Sequence, residues 1–324
     1  RNHPSALQFP DTIKSFVETE LQAEALLGPF TNPCMTPSPK CSPLMTRPKS
    51  DSTERRVIMD LSWGDTSVNA QIDNSHYLGT QYKLALPTVD AVADMILQEG
   101  ANCYLYKRDL SRAYKQLRTC PLAWSLTEFQ FENLTYLISV CFGLKSGAMM
   151  CQRTTEVIAH AMRFKKYQLQ VYLDDLLGCQ KHLATAIAAD NYLGDTLDKL
   201  GLAHKRSKHC PPEQQQVCLG ILFDTTTMSK SIPPAKLHEV QMELRKWSAK
   251  CTASRHELQC LAGRLLFIAK CSKPARLFIN SVLADLRDAP EVGVIRLSAA
   301  TISDLEWFRE LMPLYNGLSL LHHP

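Results

Sequence analysis

The sequence predicts an α+β fold in which a mixed strand-and-helix portion is followed by a compact helical unit. Three observations predict it. Short runs rich in aromatic and β-branched residues, closed by Gly, Asn or Asp, recur at residues 57–61, 103–108, 129–142, 168–178 and 217–223, as strands and hairpins require. Apolar residues at helical spacing fill the stretches 88–99 and 184–200 between them. After Pro233-Pro234 the pattern becomes purely helical to about residue 288. The 324-residue chain is long enough for two or three packed units.

In chain order, residues 11–27 read as a helix with Ile13, Phe16, Val17, Leu21 and Leu26 toward one side, stopped by Gly28-Pro29. Dense prolines from 29 to 48 predict an extended, irregular segment. A polar tip from Lys49 to Arg56 then leads into the strand 57–61, and basic groups there suit phosphate, although a solvated loop is the commoner meaning of such a tip. Thr88 caps a helix that Gly100 ends. The strand 103–108 runs to Asp109 at its end, a favoured place for chemistry. A hairpin over 129–142 turns at Glu132-Asn133, and a helix spans 148–163. A second hairpin, 168–178, turns at Asp174-Asp175. The helix 184–200 is expected to bury Ile187, Leu193, Leu197 and Leu200. Beyond Pro234 come a helix burying Leu237, Val240, Leu244 and Trp247, a capping box at Ser254 and Glu257, and helices at 275–288 and 301–311. Residues 318–321 read as the start of a strand lacking partners.

Composition narrows the function classes. A formal charge of +4 neither demands nor excludes a nucleic-acid partner. No apolar run approaches the roughly 20 residues of a membrane span. The twelve cysteines are scattered without CxxC spacing, which argues against zinc and for a reducing, intracellular setting, cytoplasm or nucleus. His204, His209 and Cys210 read as a polar loop lacking a fourth ligand. The first residue is Arg1 with no signal-like segment after it, so the expectation is a piece of a longer protein.

The chemistry-bearing pattern is acidic. Asp174 and Asp175 interrupt an apolar run, where an unpaired carboxylate is costly, so a cation should meet them, either Lys or Arg or a metal ion. Asp109 ends another strand 65 residues earlier, and pairing of the two strands would bring the three acids together. Three gathered carboxylates stay ionised only if a divalent cation neutralises them, and hard oxygen ligands in small number favour Mg²⁺ completed by water and phosphate. Two such ions can clamp the attacking and leaving oxygens of a phosphoryl displacement.

Four stretches carry a family resemblance. Tyr172-Leu173-Asp174-Asp175 resembles the YxDD box of reverse transcriptases, and Asp109-Leu110-Ser111-Arg112-Ala113-Tyr114 their first acidic motif. Phe142-Gly143-Leu144-Lys145-Ser146 resembles the box between them, and Leu219-Gly220 the primer grip. Order and spacing agree over residues 40–289. The wording from Lys107 to Tyr114, with Met149 to Arg153, is most similar to tyrosine-recombinase (DIRS-type) retrotransposons.

That resemblance implies a right-hand polymerase: fingers at 1–86 and 116–147, palm at 87–115 and 148–230, thumb at 231–299, and the start of a connection or RNase H region at 300–324. It implies an RNA-directed DNA polymerase that extends a DNA primer on an RNA or DNA template with dNTPs. Asp109, Asp174 and Asp175, with the Leu110 carbonyl, would hold two Mg²⁺, or Mn²⁺ in their place. Lys49 and Arg56 would hold the triphosphate. Tyr114 would clash with a 2′-hydroxyl. Phe142 and Gln152 would complete the nucleotide site, Gln152 toward the template. Lys208 or Lys205 would protonate pyrophosphate, and Leu219-Gly220 would set the primer end. Lys and Arg of the thumb helices would grip the duplex backbone.

Many relatives carry Pro soon after the third motif, where this chain has Ser146-Gly147-Ala148 in the loop behind the incoming base. The parent is expected to continue into RNase H, with none of that activity in this chain, since residues 300–324 hold no acidic cluster. The competing reading is a catalytically inactive, nucleic-acid-binding relic. An RNA-dependent RNA polymerase would need a small or hydrogen-bonding residue in place of Tyr114.

Overall fold

The computed structural model describes residues 2–31, 41–49, 53–73, 75–77, 79–81 and 83–321. The expected extended segment over 32–40 and the loop tip 50–52 lie outside the described residues.

The first body is built from helix α1 (Pro10–Gln22), strand β1 (Leu26–Phe30) and the hairpin β2 (Leu44–Pro48) and β3 (Arg55–Met59). Helix α2 (Val89–Glu99) and strand β4 (Tyr104–Asp109) follow, then the one-turn helix α3 (Ala113–Gln116) and the hairpin β5 (Glu128–Phe131) and β6 (Leu134–Ile138). Next come the long helix α4 (Gly147–Phe164), the acidic hairpin β7 (Gln168–Tyr172) and β8 (Asp175–Gln180), and helix α5 (Leu183–Lys199). The strands β9 (Cys210–Glu213), β10 (Gln215–Cys218), β11 (Ile221–Asp224) and β12 (Ser229–Ser231) lead to the helices α6 (Pro234–Trp247), α7 (Arg255–Ile268), α8 (Asn280–Asp288) and α9 (Ala299–Glu310), and β13 (Ser319–Leu320) is last.

The central sheet is antiparallel, in the order β9-β4-β8-β7. Because strand side chains alternate, β4 feeds two cores: Leu105 joins the one shared with α2 and the helices α6–α9, while Tyr106 joins the one under α4 and α5. Gly178 on β8 makes room for Tyr106, since a Cβ there would lie 1.9 Å from the Tyr106 Cζ. A third core gathers Ile13, Val17, Leu26, Met59, Phe129 and Ile138 around the β1-β6-β5 sheet.

Local signals act as expected. Thr88 accepts from the Ala91 N–H, and Ser254 and Glu257 form a reciprocal capping box. Four expectations are corrected. Helix α1 stops at Gln22, and Leu26, five residues past Leu21 and so off the helical face, lies on β1 paired with Ile138. On α5, Ile187 and Leu200 are exposed, and the buried face is Ala186, Ala189, Asp190, Leu193, Gly194 and Leu197. The stretch expected to be helical from 275 begins as the 3-10 turn Lys273–Ile279 and becomes α-helical only at Asn280. Residues 319–320 do have a partner, β12, and α9 packs against α6 and α8.

Candidate active site

The register of the central sheet sets the acids. β8 pairs antiparallel with β4 so that Asp175 stands directly opposite Asp109. Asp174 occupies the β7–β8 turn, and its carbonyl accepts from the Leu110 N–H at 2.9 Å. Leu173 holds a φ of 56° in that turn, a left-handed conformation that a branched side chain adopts only when its surroundings impose it. Gln152 on α4 does the imposing. Its amide accepts from the Leu173 N–H at 2.8 Å and donates to the Val171 carbonyl at 3.0 Å. Gln152 is therefore buried behind the turn, with both ends of its amide spent on backbone.

Asp109 is buried and Asp174 half-buried. Burial pushes the Asp174 carboxyl above its ordinary value, and the charges of Asp175 and Asp109 push it further while Lys205 opposes them. Cations meet the other two acids. Lys205 reaches Asp109 Oδ1 at 2.9 Å and Lys208 reaches Oδ2 at 3.8 Å, so Lys205 is the nearer of the two. Lys107 reaches Asp175 Oδ1 at 3.1 Å; burial disfavours its charge, but Asp175 prevails and the ammonium is raised overall. Among the described residues no three His, Cys, Asp or Glu side chains are gathered into a ready ligand set. The donor chemistry nonetheless fits a hard divalent cation: three carboxylates, two of them directly cross-strand, with one held above its ordinary value first by burial and then by its neighbours' charge.

The remaining expected residues fall on two sides. Tyr114, on α3, lies 5.2 Å from the Phe142 ring centroid, and a Cβ on Gly147 would meet its ring at 3.1 Å. Burial, and secondarily Cys151 and Asp174, pushes its hydroxyl up to about 12. Asn69 clamps the loop after Phe142, donating to the Gly143 carbonyl and accepting from the Lys145 N–H. Arg56 lies 4.9 Å above the Phe142 ring, while Lys49 pairs with Glu54 at 2.5 Å. On the other side, Leu219 and Gly220 form the β10–β11 turn, both with positive φ, as a type I′ turn requires.

Between that turn and the helices lies a cleft of about 720 Å³, lined by Pro87, Tyr172, Asp175, Gly220, Phe267, Lys270 and Arg276 among others. Lys107, Lys270 and Arg276 were not singled out from the sequence. Lys107 carried a signal, standing two residues before Asp109 on the same strand face; the other two fell only under the general expectation for Lys and Arg of residues 231–299.

Comparison with solved structures decides the architecture. The fold is that of a reverse transcriptase. The foamy viral protease-reverse transcriptase dRH in complex with double-stranded DNA superposes with a TM-score of 0.72 at 16% identity, covering 96% of this chain and 49% of that one. The foamy viral protease-reverse transcriptase in complex with an RNA/DNA hybrid gives 0.69 at 15%, covering 99% of this chain and 39% of that one. The chain thus spans half or less of these two neighbours' length. No protein-family profile matches the chain, and no curated protein matches its sequence. Among the described residues, no helix is long and apolar enough to cross a membrane.

Proposed function

We propose that this chain is the polymerase part of a retroelement reverse transcriptase, most similar in its motifs to DIRS-type elements, and that it extends a DNA primer with dNTPs. The observation that carries the reading is Asp175 standing opposite Asp109, with Asp174 in the adjoining turn, at the edge of a cleft in a reverse-transcriptase fold.

Asp109, Asp174, Asp175 and the Leu110 carbonyl would hold two Mg²⁺, or Mn²⁺, which supply charge neutralisation at the attacking and leaving oxygens. The protein's own groups do the rest. Gln152 keeps the Asp174 turn rigid from behind. Lys205, already on Asp109, and Lys208 beside it are the proton donors available to departing pyrophosphate. Arg56 and Lys49 lie on the hairpin from which the triphosphate is gripped. The Tyr114 ring, backed by Gly147 and Phe142, fills the space a 2′-hydroxyl would need. Leu219-Gly220 seat the primer end, while Lys270 and Arg276 take duplex phosphates, giving a grip that weakens as salt rises. The neighbours' complexes with DNA and with an RNA/DNA hybrid support nucleic-acid partners of this kind, and the full protein would be a polyprotein that continues into RNase H.

The test is primer extension on an RNA template with Mg²⁺ and each dNTP. Extended DNA product supports the reading. Tight primer–template binding without extension, where a control enzyme works, replaces it with the inactive relic.

A further inference from the structure

Tyr114 rides on α3, a single turn of helix from Ala113 to Gln116. One turn is too short to hold itself together, so contacts at its ends must fix its position. On the palm side, the Gln116 amide donates to the Ala203 carbonyl at 2.9 Å and accepts from the Ala203 N–H at 2.7 Å. On the other side stands Glu20, at the end of α1 and only 2% exposed. Its carboxylate accepts from Arg112 at 3.2 Å and from Lys115 at 2.6 Å. These two cations bracket Tyr114. Arg112 enters the turn with a φ of 50°, outside the region its side chain prefers, so something must pin it there. Lys115 also lies 4.3 Å over the Phe16 ring of the same helix α1. Burial draws the Lys115 ammonium down and Glu20 opposes that loss. Removing Glu20 leaves a buried cation without its acid, and α3 then gains by moving toward water.

We propose that Glu20 is a positioning residue for sugar selection: it clamps Arg112 and Lys115 so that the Tyr114 ring stays where a 2′-hydroxyl would have to go. The inference rests on the polymerase reading, and it extends nucleotide selection to a helix about ninety residues upstream of the motif. The ring faces the sugar and Glu20 does not, so the effect of Glu20 passes wholly through the placement of α3. A dNTP and an rNTP share triphosphate and base. General damage to the site therefore cancels in the ratio of their affinities, and only a change at the sugar moves it.

The experiment uses the full chain on a dideoxy-terminated primer–template, which cannot react. The affinity of the ternary complex for the next complementary dNTP is compared with that for the matching rNTP. Wild type prefers the dNTP, and Tyr114→Ala erases the preference. Glu20→Ala lowers it about tenfold to a hundredfold, as a displacement of about 1 Å would. Glu20→Gln, which keeps shape and an acceptor, retains most of it, and Glu20→Ala added to Tyr114→Ala changes nothing further. An unchanged ratio in Glu20→Ala, with both nucleotides weakened alike, overturns the inference while leaving the polymerase reading intact. A wild type that binds neither nucleotide overturns both. If Glu20→Ala does not fold, Arg112→Ala, which removes the more exposed arm of the clamp, carries the same ratio test with the same two outcomes.

Discussion

The two faces of strand β4 handle charge in opposite ways. On the cleft face, Asp109 and Asp175 stand directly opposite one another with Asp174 beside them, and the Asp174 carboxyl is forced upward by burial and by their charge. On the back face, Arg108 donates to Asp190 Oδ1 at 2.7 Å, and His209 meets Oδ2 at 2.7 Å. Arg108 and Asp190 are both buried, and each acidic oxygen has its partner. The charges of the back are paired within the protein. On the front, Asp109 and Asp175 have lysine partners, while among the described residues no cation stands at ion-pair distance from Asp174, the condition expected of a surface built to receive something cationic.

The largest expected effect is on the front. Asp174→Asn should reduce primer extension to background while leaving the unliganded chain as stable as before, or more so, because a neutral side chain of the same shape relieves like-charge crowding. A loss of folding cooperativity in this variant would mean that the front acids serve structure, and the contrast between the faces would fail. The converse change is at the back. Asp190→Ala strands the buried Arg108 charge and should cost about 3–5 kcal/mol in urea unfolding. Replacing Arg108 and Asp190 together with apolar residues should cost less than Asp190→Ala alone, since no buried charge remains. A cost below about 1 kcal/mol for Asp190→Ala, the range of exposed ion pairs, would show that water reaches the back face.

A smaller effect tests the sheet between the two faces. Gly178 lies against the Tyr106 ring, and a Cβ there would sit 1.9 Å from Cζ. Gly178→Ala should therefore cost about 1–3 kcal/mol by overpacking. Because β8 also carries Asp175, the shift should lower extension as well as stability. Stability lost without any activity lost would show that the β8 register absorbs the strain before it reaches the site.

How much of this was legible follows from the range of each interaction. The Thr88 cap, the Ser254 box and the acidic turn are written within a few residues of one another. The pairing of Asp109 with Asp175 was legible only through two separate strand patterns and a family likeness. What escaped depends on contacts distant in the chain. Nothing near Glu20 announces Arg112 and Lys115. Leu26 follows directly on the apolar series that runs from Ile13 to Leu21, yet it pairs with Ile138 in a sheet. On α5 the largest apolar residues are not all the buried ones. Small residues turn inward because the helix lies close against the sheet, and a Cβ on Gly194 would come within 3.0 Å of the Arg108 guanidinium. Gln152 was assigned to nucleotide or template from its position after a motif, and its use on the Leu173 turn could not be read from its type.

The smallest expected effect sharpens the contrast with a third acid, Glu257, in the capping box of α7. It is partly exposed, and bonds from Lys250, then from the Ser254 backbone and hydroxyl, hold its carboxyl down at about 2. Its contribution to stability is therefore present above the ordinary value of 4.5 and fades as pH falls toward about 2. Asp174 runs the other way. Its folded value is raised above 3.8, so the stability linked to its protonation is present at lower pH and is lost as pH rises through the raised value. Thermal melts across the acid range should separate the two. Glu257→Gln flattens the decline on the acid side, whereas Asp174→Asn removes a decline on the less acid side. Ser254→Ala, which breaks the same box without touching a charge, should cost about 1 kcal/mol at every pH where Glu257 is ionised. If both acid variants shifted the melting curve in the same direction with pH, Asp174 would be paired like any surface carboxylate, and the charges at the front of β4 would be as fully paired as those at its back.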